Sequence, residues 1–227
     1  VEPSISDGLM EVTASLVQQL AQPGCTVIVF LPGIADITTL FETLAPLDDS
    51  RDIGGRFGAV TKRLDCPRLR VFALHSMIPR NEQEEVFNPV PKDQCHIVLA
   101  SNIAESSLTL PDVCGVVDLA LRRTVQYDTR RLMCCLVTTW CSQSSCKQRR
   151  GRAGRTMPGR AVCLVPKRFF NDQMPLFDPP EMMNAPLTKL YLQAKQLCTT
   201  LVGVTQRLSL PPNIRMDVTT PQSLLRE

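Results

Sequence analysis

Short apolar runs alternate along the chain with stretches in which apolar residues recur every three or four positions. Leu9, Val12, Leu16, Val17 and Leu20 mark one face of a helix, which Pro23-Gly24 closes. Thr26 to Leu31 is a nearly continuous apolar run, the pattern of a strand buried on both faces. After Pro32-Gly33, Ile34, Ile37, Leu40, Phe41 and Leu44 return to helical spacing. Between Pro46 and Pro67 the pattern breaks into Asp48-Asp49, Gly54-Gly55, Gly58 and mixed charges, which predicts a surface insertion over 46–67. It resumes with a strand from Leu69 to Leu74, a short helix from Asn81 to Phe87, a strand from Cys95 to Ala100 and a further apolar run from Val113 to Leu119. Leu121 to Val137 has no helical period and predicts a hairpin turning at Asp128-Thr129-Arg130. Ser142 to Ser145 caps a helix expected to carry the arginines that follow; Pro158-Gly159 stops it, and Ala161 to Val165 is a last strand.

Strands that alternate with helices imply an α/β fold with a mostly parallel, doubly wound sheet. The pattern assigns residues 1–175 to this domain, with the hairpin of 121–137 inserted in it. Beyond Pro175 the character changes to helices striped by Leu187, Leu190, Leu197 and Leu201, so 176–227 reads as a helical extension. The chain looks like a piece of a longer protein.

With 44% hydrophobic but only 5% aromatic residues, the core must be mostly aliphatic. Ten cysteines would suit a disulfide framework only in a much shorter chain, and several sit in apolar runs such as Cys25 to Phe30, where a thiol packs as a small hydrophobe. Cys134-Cys135, Cys141 and Cys146 lack a companion set at metal-ligand spacing, as do His75 and His96, so no metal site is expected. No apolar run approaches the length of a membrane span, and Val1-Glu2-Pro3 does not begin a signal peptide. An intracellular, reducing location (cytoplasmic, nuclear or organellar) without membrane association is the expectation.

Charge changes the picture. The chain is +3 overall, yet from Leu121 to Arg160 it carries ten Lys or Arg against one acid, Asp128, a local +9 that leaves −6 elsewhere. Within that region Gln148-Arg149-Arg150-Gly151-Arg152-Ala153-Gly154-Arg155 packs four of the arginines. Arg149, Arg152 and Arg155 recur every third residue, which on a helical turn would set them near one face. Guanidinium forks suit a polyphosphate, and the glycines let it approach closely. By itself such a run reads equally as a solvated basic helix, a targeting run or a nonspecific RNA-binding patch. Open parallel sheets bind ligands beyond the carboxyl ends of their strands. Pro32-Gly33, His75-Ser76, Ser101-Asn102 and Asp118 all fall at such ends, and with the arginine helix they are expected to converge on one edge.

Taken in order, Phe30-Leu31-Pro32-Gly33, Leu74-His75-Ser76 with Gln83 and Val86-Phe87, Ser101-Asn102-Ile103-Ala104-Glu105-Ser106-Ser107-Leu108-Thr109 and Gln148 to Arg155 resemble the second RecA-like domain of DEAH/RHA-type superfamily 2 RNA helicases. The resemblance covers about Thr26 to Val165 and more weakly the start of a winged-helix segment after Glu181. It implies that Gln148 orients the attacking water and that Arg152 and Arg155 act as arginine fingers on the γ-phosphate. Phe87 would stack on the nucleotide base, Thr109 would lie on the nucleotide side, and Asp112 would take a ribose contact. Ser76, Ser101, Asn102 and Arg123, with Arg122 beside it, would hold the RNA backbone. The hairpin would be a wedge or guide for the strand, or a plain edge hairpin; Phe87 has the bland alternative of a core contact. Arg149 would make structural pairs, with a solvated or intradomain salt-bridged arginine as the bland reading for it and for Arg150. Trp140 reads as a packing anchor.

The chain departs from the group at Ser101, where Thr is usual, at Pro111, where Asp is usual, and in the 46–67 insertion. It contains no Gly-x-x-x-x-Gly-Lys-Ser/Thr loop and no Asp-Glu-x-His. The resemblance therefore implies the C-terminal motor lobe of an ATP-dependent RNA helicase or ribonucleoprotein remodeller, inactive in hydrolysis without the first RecA-like domain. ATP with Mg²⁺ would be the cofactor, with the Mg²⁺ ligands on that first domain. Single-stranded RNA or an RNA–protein complex, the first domain in cis and a protein activator would be the partners. A helicase-derived RNA-binding scaffold without hydrolysis is the alternative, and the presence of Gln148, Arg152 and Arg155 stands against it. A basic RNA-binding module would leave the nucleotide-side residues unexplained.

Overall fold

The computed structural model describes residues 2–45, 67–78, 83–106, 110–128, 133–180 and 191–199. The chain divides into two compact units, 1–124 with 136–178 and 125–135 with 179–227. The first holds a five-stranded sheet ordered β2-β3-β1-β4-β7, from β1 (Cys25–Phe30), β2 (Arg68–Leu74), β3 (Gln94–Ala100), β4 (Val113–Asp118) and β7 (Arg160–Cys163). Every pairing in it is parallel. The alternating pattern of the sequence thus yields the α/β sheet it predicts.

Strand β1 lies at the centre and is buried throughout. Successive side chains of a strand point to opposite faces, and β1 accordingly feeds two cores. Val27 and Val29 join one cluster with Val17 and Leu20 of α1 (Asp7–Leu20) and Ile37, Leu40 and Leu44 of α2 (Ile34–Leu44). Ile28 and Phe30 join the other with Phe72, Val86, Ala104 and Leu110. On α1 the buried stripe is Met10, Thr13, Ala14, Val17 and Leu20, while Val12 is exposed. The buried Thr13 hydroxyl is satisfied within the helix, donating to the Leu9 carbonyl at 2.7 Å.

Two more strands, β5 (Leu121–Asp128) and β6 (Met133–Trp140), pair with each other as the hairpin. Helices α3 (Ile103–Ser106), α4 (Gln143–Arg150) and α5 (Lys167–Asp172) complete the described elements of the first unit. Of the short helix expected from Asn81 to Phe87, Gln83 is helical and Glu84–Phe87 form a 3-10 turn, while Asn81 and Glu82 lie outside the described residues. Trp140 packs edge-on against Phe169, ring centroids 4.8 Å apart. Of the second unit, residues 191–199 are helical. The insertion at 46–66, Thr109, the hairpin turn at 129–130 and Leu187, Leu190 and Leu201 lie outside the described residues.

Candidate functional site

Strands β2, β3 and β1 are neighbours, and their ends are level: Leu74 and Phe30 both pair with Ala100. The three loops that follow therefore leave the sheet side by side. They form a pocket of about 470 Å³ lined by Gly33, His75, Ser76, Ser101, Asn102 and Arg123. Ser76, Asn102 and Arg123 are exposed, and Ser101 is buried. Gln83 holds the loop after β2, donating through Nε2 to the His75 carbonyl at 3.0 Å and to that of Ile78. Gly33 has a specific steric role: a Cβ there would lie 2.9 Å from Nε of Arg123. Burial and the Arg123 charge both lower the His75 pKa, so the imidazole is neutral near pH 7. Among the described residues the pocket presents hydroxyl, amide and guanidinium donors and no carboxylate, a surface suited to a phosphodiester backbone.

The arginine run behaves differently from its expected helix. Ser142 caps α4, its Oγ accepting from the Ser145 N–H at 3.0 Å, but the helix ends at Arg150 with Gly151 as its C-cap. Arg149 is wholly buried, whereas Arg152 and Arg155 lie in the turns beyond the helix. The three do not share a face. Arg149 Nη1 donates to Asp118 Oδ1 at 2.9 Å and Nε to Glu105 Oε2 at 3.1 Å. Two buried or half-buried carboxylates, 31 and 44 positions away, fix its place. Arg152 is 8% exposed and donates to the Glu105 carbonyl; burial and the neighbouring Arg155 lower its pKa. Arg155 is exposed, with Nε on the Gly151 carbonyl at 3.1 Å, and Gln148 is exposed on α4.

Arg152 and Arg155 line a second, smaller pocket with Ile28, Ala104, Leu110 and Val113. These four apolar residues belong to the cluster on one face of the sheet. The expected convergence on one edge is therefore partial: the loop residues meet at the carboxyl edge and Arg149 meets Asp118 at the end of β4, while Arg152 and Arg155 line a pocket over a sheet face. Asp118 joins neither pocket, being 3% exposed beneath Arg149.

Phe87 is 41% exposed while its neighbour Val86 is fully buried in the same apolar cluster. The core-contact alternative thus belongs to Val86. Asp112 precedes β4 at the amino end of the sheet, with φ 47° and its carbonyl accepting from Thr26 N at 2.8 Å; it is not in the lining of the arginine pocket. Arg122 pairs with Asp178 at 3.0 Å, while Arg123 lines the carboxyl-edge pocket. Adjacent residues of one strand point apart, which separates two arginines that the sequence places together.

Glu105 received no role from sequence reasoning. Its side chain accepts from Ser145 Oγ at 2.6 Å and from Arg149, and its carbonyl accepts from Arg152. It lies on α3, directly after Ser101-Asn102, so one residue ties the pocket at the strand ends to the arginine segment. The partners of its carboxylate and carbonyl come from 40 or more positions away, so local spacing does not reveal them.

Residues 10–157 match the family of the helicase conserved C-terminal domain. The chain is 39% identical over 176 residues to a probable ATP-dependent RNA helicase spindle-E of Aedes aegypti, covering 76% of this chain and 12% of that protein. It is 38% identical over 215 residues to the ATP-dependent RNA helicase TDRD9 of Danio rerio, covering 86% of this chain and 15% of that protein. The chain thus spans a small fraction of the length of these curated relatives. Among solved structures, that of the Escherichia coli DEAH/RHA helicase HrpB superposes with a TM-score of 0.67 at 30% identity, covering 83% of this chain and 22% of that one. With the parallel sheet and the match over residues 10–157, the chain belongs to the helicase conserved C-terminal domain family, as a RecA-like C-terminal domain of superfamily 2.

Proposed function

We propose that this chain is the C-terminal motor lobe of a DEAH/RHA-type, ATP-dependent RNA helicase or ribonucleoprotein remodeller. The observation that carries the reading is the separation of two polar surfaces on one lobe: backbone-binding donors at the carboxyl edge of the sheet, and Arg152 with Arg155 over its face. In this reading Ser76, Ser101, Asn102 and Arg123 hold single-stranded RNA. Arg152 and Arg155 reach across an interlobe cleft as arginine fingers, neutralising charge that grows on the γ-phosphate, and Gln148 orients the water. Phe87 stacks on the base.

Among the described residues, the lining of the arginine pocket offers guanidinium groups and no carboxylate, which fits a phosphate and not its Mg²⁺. The Mg²⁺ ligands then come from the first RecA-like domain, where the ion would screen the phosphate charge. Residues 1–175 would form the lobe, and 176–227 would begin the winged-helix segment. The chain alone is expected to hydrolyse no ATP, and the full-length protein to hydrolyse it faster with single-stranded RNA. RNA-stimulated turnover measured for both, across a range of protein concentrations, tests this. Turnover by the isolated chain that scales with its concentration, or its absence from the full-length protein, would overturn the half-motor reading; in the second case the protein is a scaffold.

A further inference from the structure

We propose that Asp118, Cys146 and Cys163 form a zinc site that pins strand β7 and helix α4 to the end of β4. One ligand atom of each lies within 4.8 Å of the other two. Zinc takes thiolate sulfur at about 2.3 Å and carboxylate oxygen at about 2.0–2.2 Å, which sets neighbouring ligand atoms roughly 3.5–3.8 Å apart on a tetrahedron. Small side-chain movements close this set on an ion. The sequence hides it because the three positions belong to three elements. Sheet register makes Asp118 and Cys163 direct neighbours, and α4 brings in Cys146.

Two independent observations point to a ligand there. Asp118 Oδ1 accepts from Arg149 Nη1 at 2.9 Å and from the Ala120 N–H at 2.8 Å, but its buried Oδ2 has no hydrogen-bond partner among the described residues. A buried carboxylate oxygen left without a partner is costly, and a metal ion would satisfy it. A cavity of about 100 Å³ lies against Asp118, Cys146 and Cys163, with room for an ion and for water in its fourth position. It shares no lining residue with either pocket described above.

Charge and ligand type favour zinc. Two thiolates and a carboxylate carry −3, and a divalent ion leaves −1. Arg149, paired with Asp118, and Lys147 and Arg150, which line the same cavity, offset that remainder. The carboxylate disfavours Cu(I), and thiolates disfavour Mg²⁺ and Ca²⁺. Cys146 is hydrogen-bonded to Cys163 as well as to Cys141, which shows how close the two sulfur ligands already lie. A metal here has a structural use: β7 is a four-residue edge strand, and Cys146 lies on the helix that feeds the Gly151–Arg155 turns.

The test compares zinc content and Co²⁺ binding of the full-length protein with those of Cys146→Ser/Cys163→Ser, Cys163→Ser and the exposed control Cys134→Ser. Wild type and the control should hold one zinc more per chain than the double variant. They should also give the thiolate-to-Co²⁺ charge-transfer absorption after chelation and reloading. Replacing an outer partner of a metal ligand already costs about 10–100-fold in affinity, so Cys163→Ser should lose more than about 100-fold. Because Cys163 is exposed, this variant keeps its fold, checked by circular dichroism. Equal zinc in wild type and the double variant, absence of the thiolate absorption, or unchanged affinity in Cys163→Ser would overturn the site.

Discussion

Arg149 Nη1 and Asp118 Oδ1 form an ion pair at 2.9 Å, with the arginine side chain wholly buried and the aspartate nearly so. The same guanidinium reaches Glu105 at 3.1 Å and the Leu121 carbonyl at 3.2 Å, and lies 5.0 Å from the centre of the Phe30 ring. Burial opposes its charge, and Asp118 and Glu105 outweigh that, so its pKa is raised. One arginine thereby joins the end of β4, the short helix α3 and helix α4. Arg150 and Arg155, by contrast, are exposed.

Arg149→Ala should destabilise the protein by about 3–5 kcal/mol, because it strands two carboxylates in a low-dielectric interior. Arg149→Lys should recover little, since an ammonium cannot fork between Asp118 and Glu105. Urea unfolding followed by circular dichroism measures both. A loss under about 1 kcal/mol for the alanine variant would mean that water satisfies the carboxylates.

Arg155→Ala in the full-length protein should lower ATP turnover by about 10³–10⁵ while leaving RNA affinity and stability unchanged. Arg152→Ala should cause a similar loss and also some loss of stability, because Arg152 is 8% exposed and holds the Glu105 carbonyl. Paired turnover and unfolding measurements separate the two. Wild-type turnover in Arg155→Ala would return the run to a solvated basic surface.

Phe87→Ala should raise the apparent KM for ATP and GTP together by about tenfold or more, since base stacking is worth about 1–3 kcal/mol and reads no hydrogen-bond pattern. Stability should barely change, because the ring is 41% exposed. Val86→Ala should do the reverse, costing stability through a core cavity. An unchanged KM in Phe87→Ala would remove the ring from the nucleotide site.

Gly33→Ala should act through Arg123. The added methyl meets the far end of a flexible side chain, so the guanidinium moves out of the pocket and the fold survives. RNA affinity should fall and its salt dependence flatten, as in Arg123→Ala, because fewer counterions are released on binding. Arg122→Ala should leave the salt slope unchanged, its charge being paired with Asp178. Affinity for single-stranded RNA at several salt concentrations distinguishes them. Equal slopes for Arg122→Ala and Arg123→Ala that both lie below wild type would contradict this division.

Acid should weaken the fold through His96. Burial lowers its pKa below the ordinary 6.5, helped by Arg70 and opposed by Glu85. The native state then binds fewer protons than the unfolded chain. Stability is constant above 6.5, falls as pH drops through that value toward the folded pKa, and levels off below it. His96→Asn should flatten the fall in urea midpoint between about pH 7 and about pH 5. An unchanged slope would assign the acid sensitivity elsewhere, first to His75, whose pKa burial and Arg123 also lower.

The sequence by itself determined the strands, the main helices and the family. A strand buried on both faces needs continuous apolar residues, which Thr26 to Leu31 and Cys95 to Ala100 supply without reference to any distant partner. It also placed His75-Ser76 and Ser101-Asn102 just beyond strand ends, because that is a local relation. Only the tertiary structure decided which partners bury Arg149, since Asp118 and Glu105 lie 31 and 44 positions away. Strand order and register decided that the loops after β1, β2 and β3 share a pocket and that Asp118 lies beside Cys163. Side-chain direction on β5 decided that Arg123 reaches the pocket while Arg122 pairs with Asp178. Spacing along a chain encodes local geometry; contacts between distant residues depend on how the elements pack.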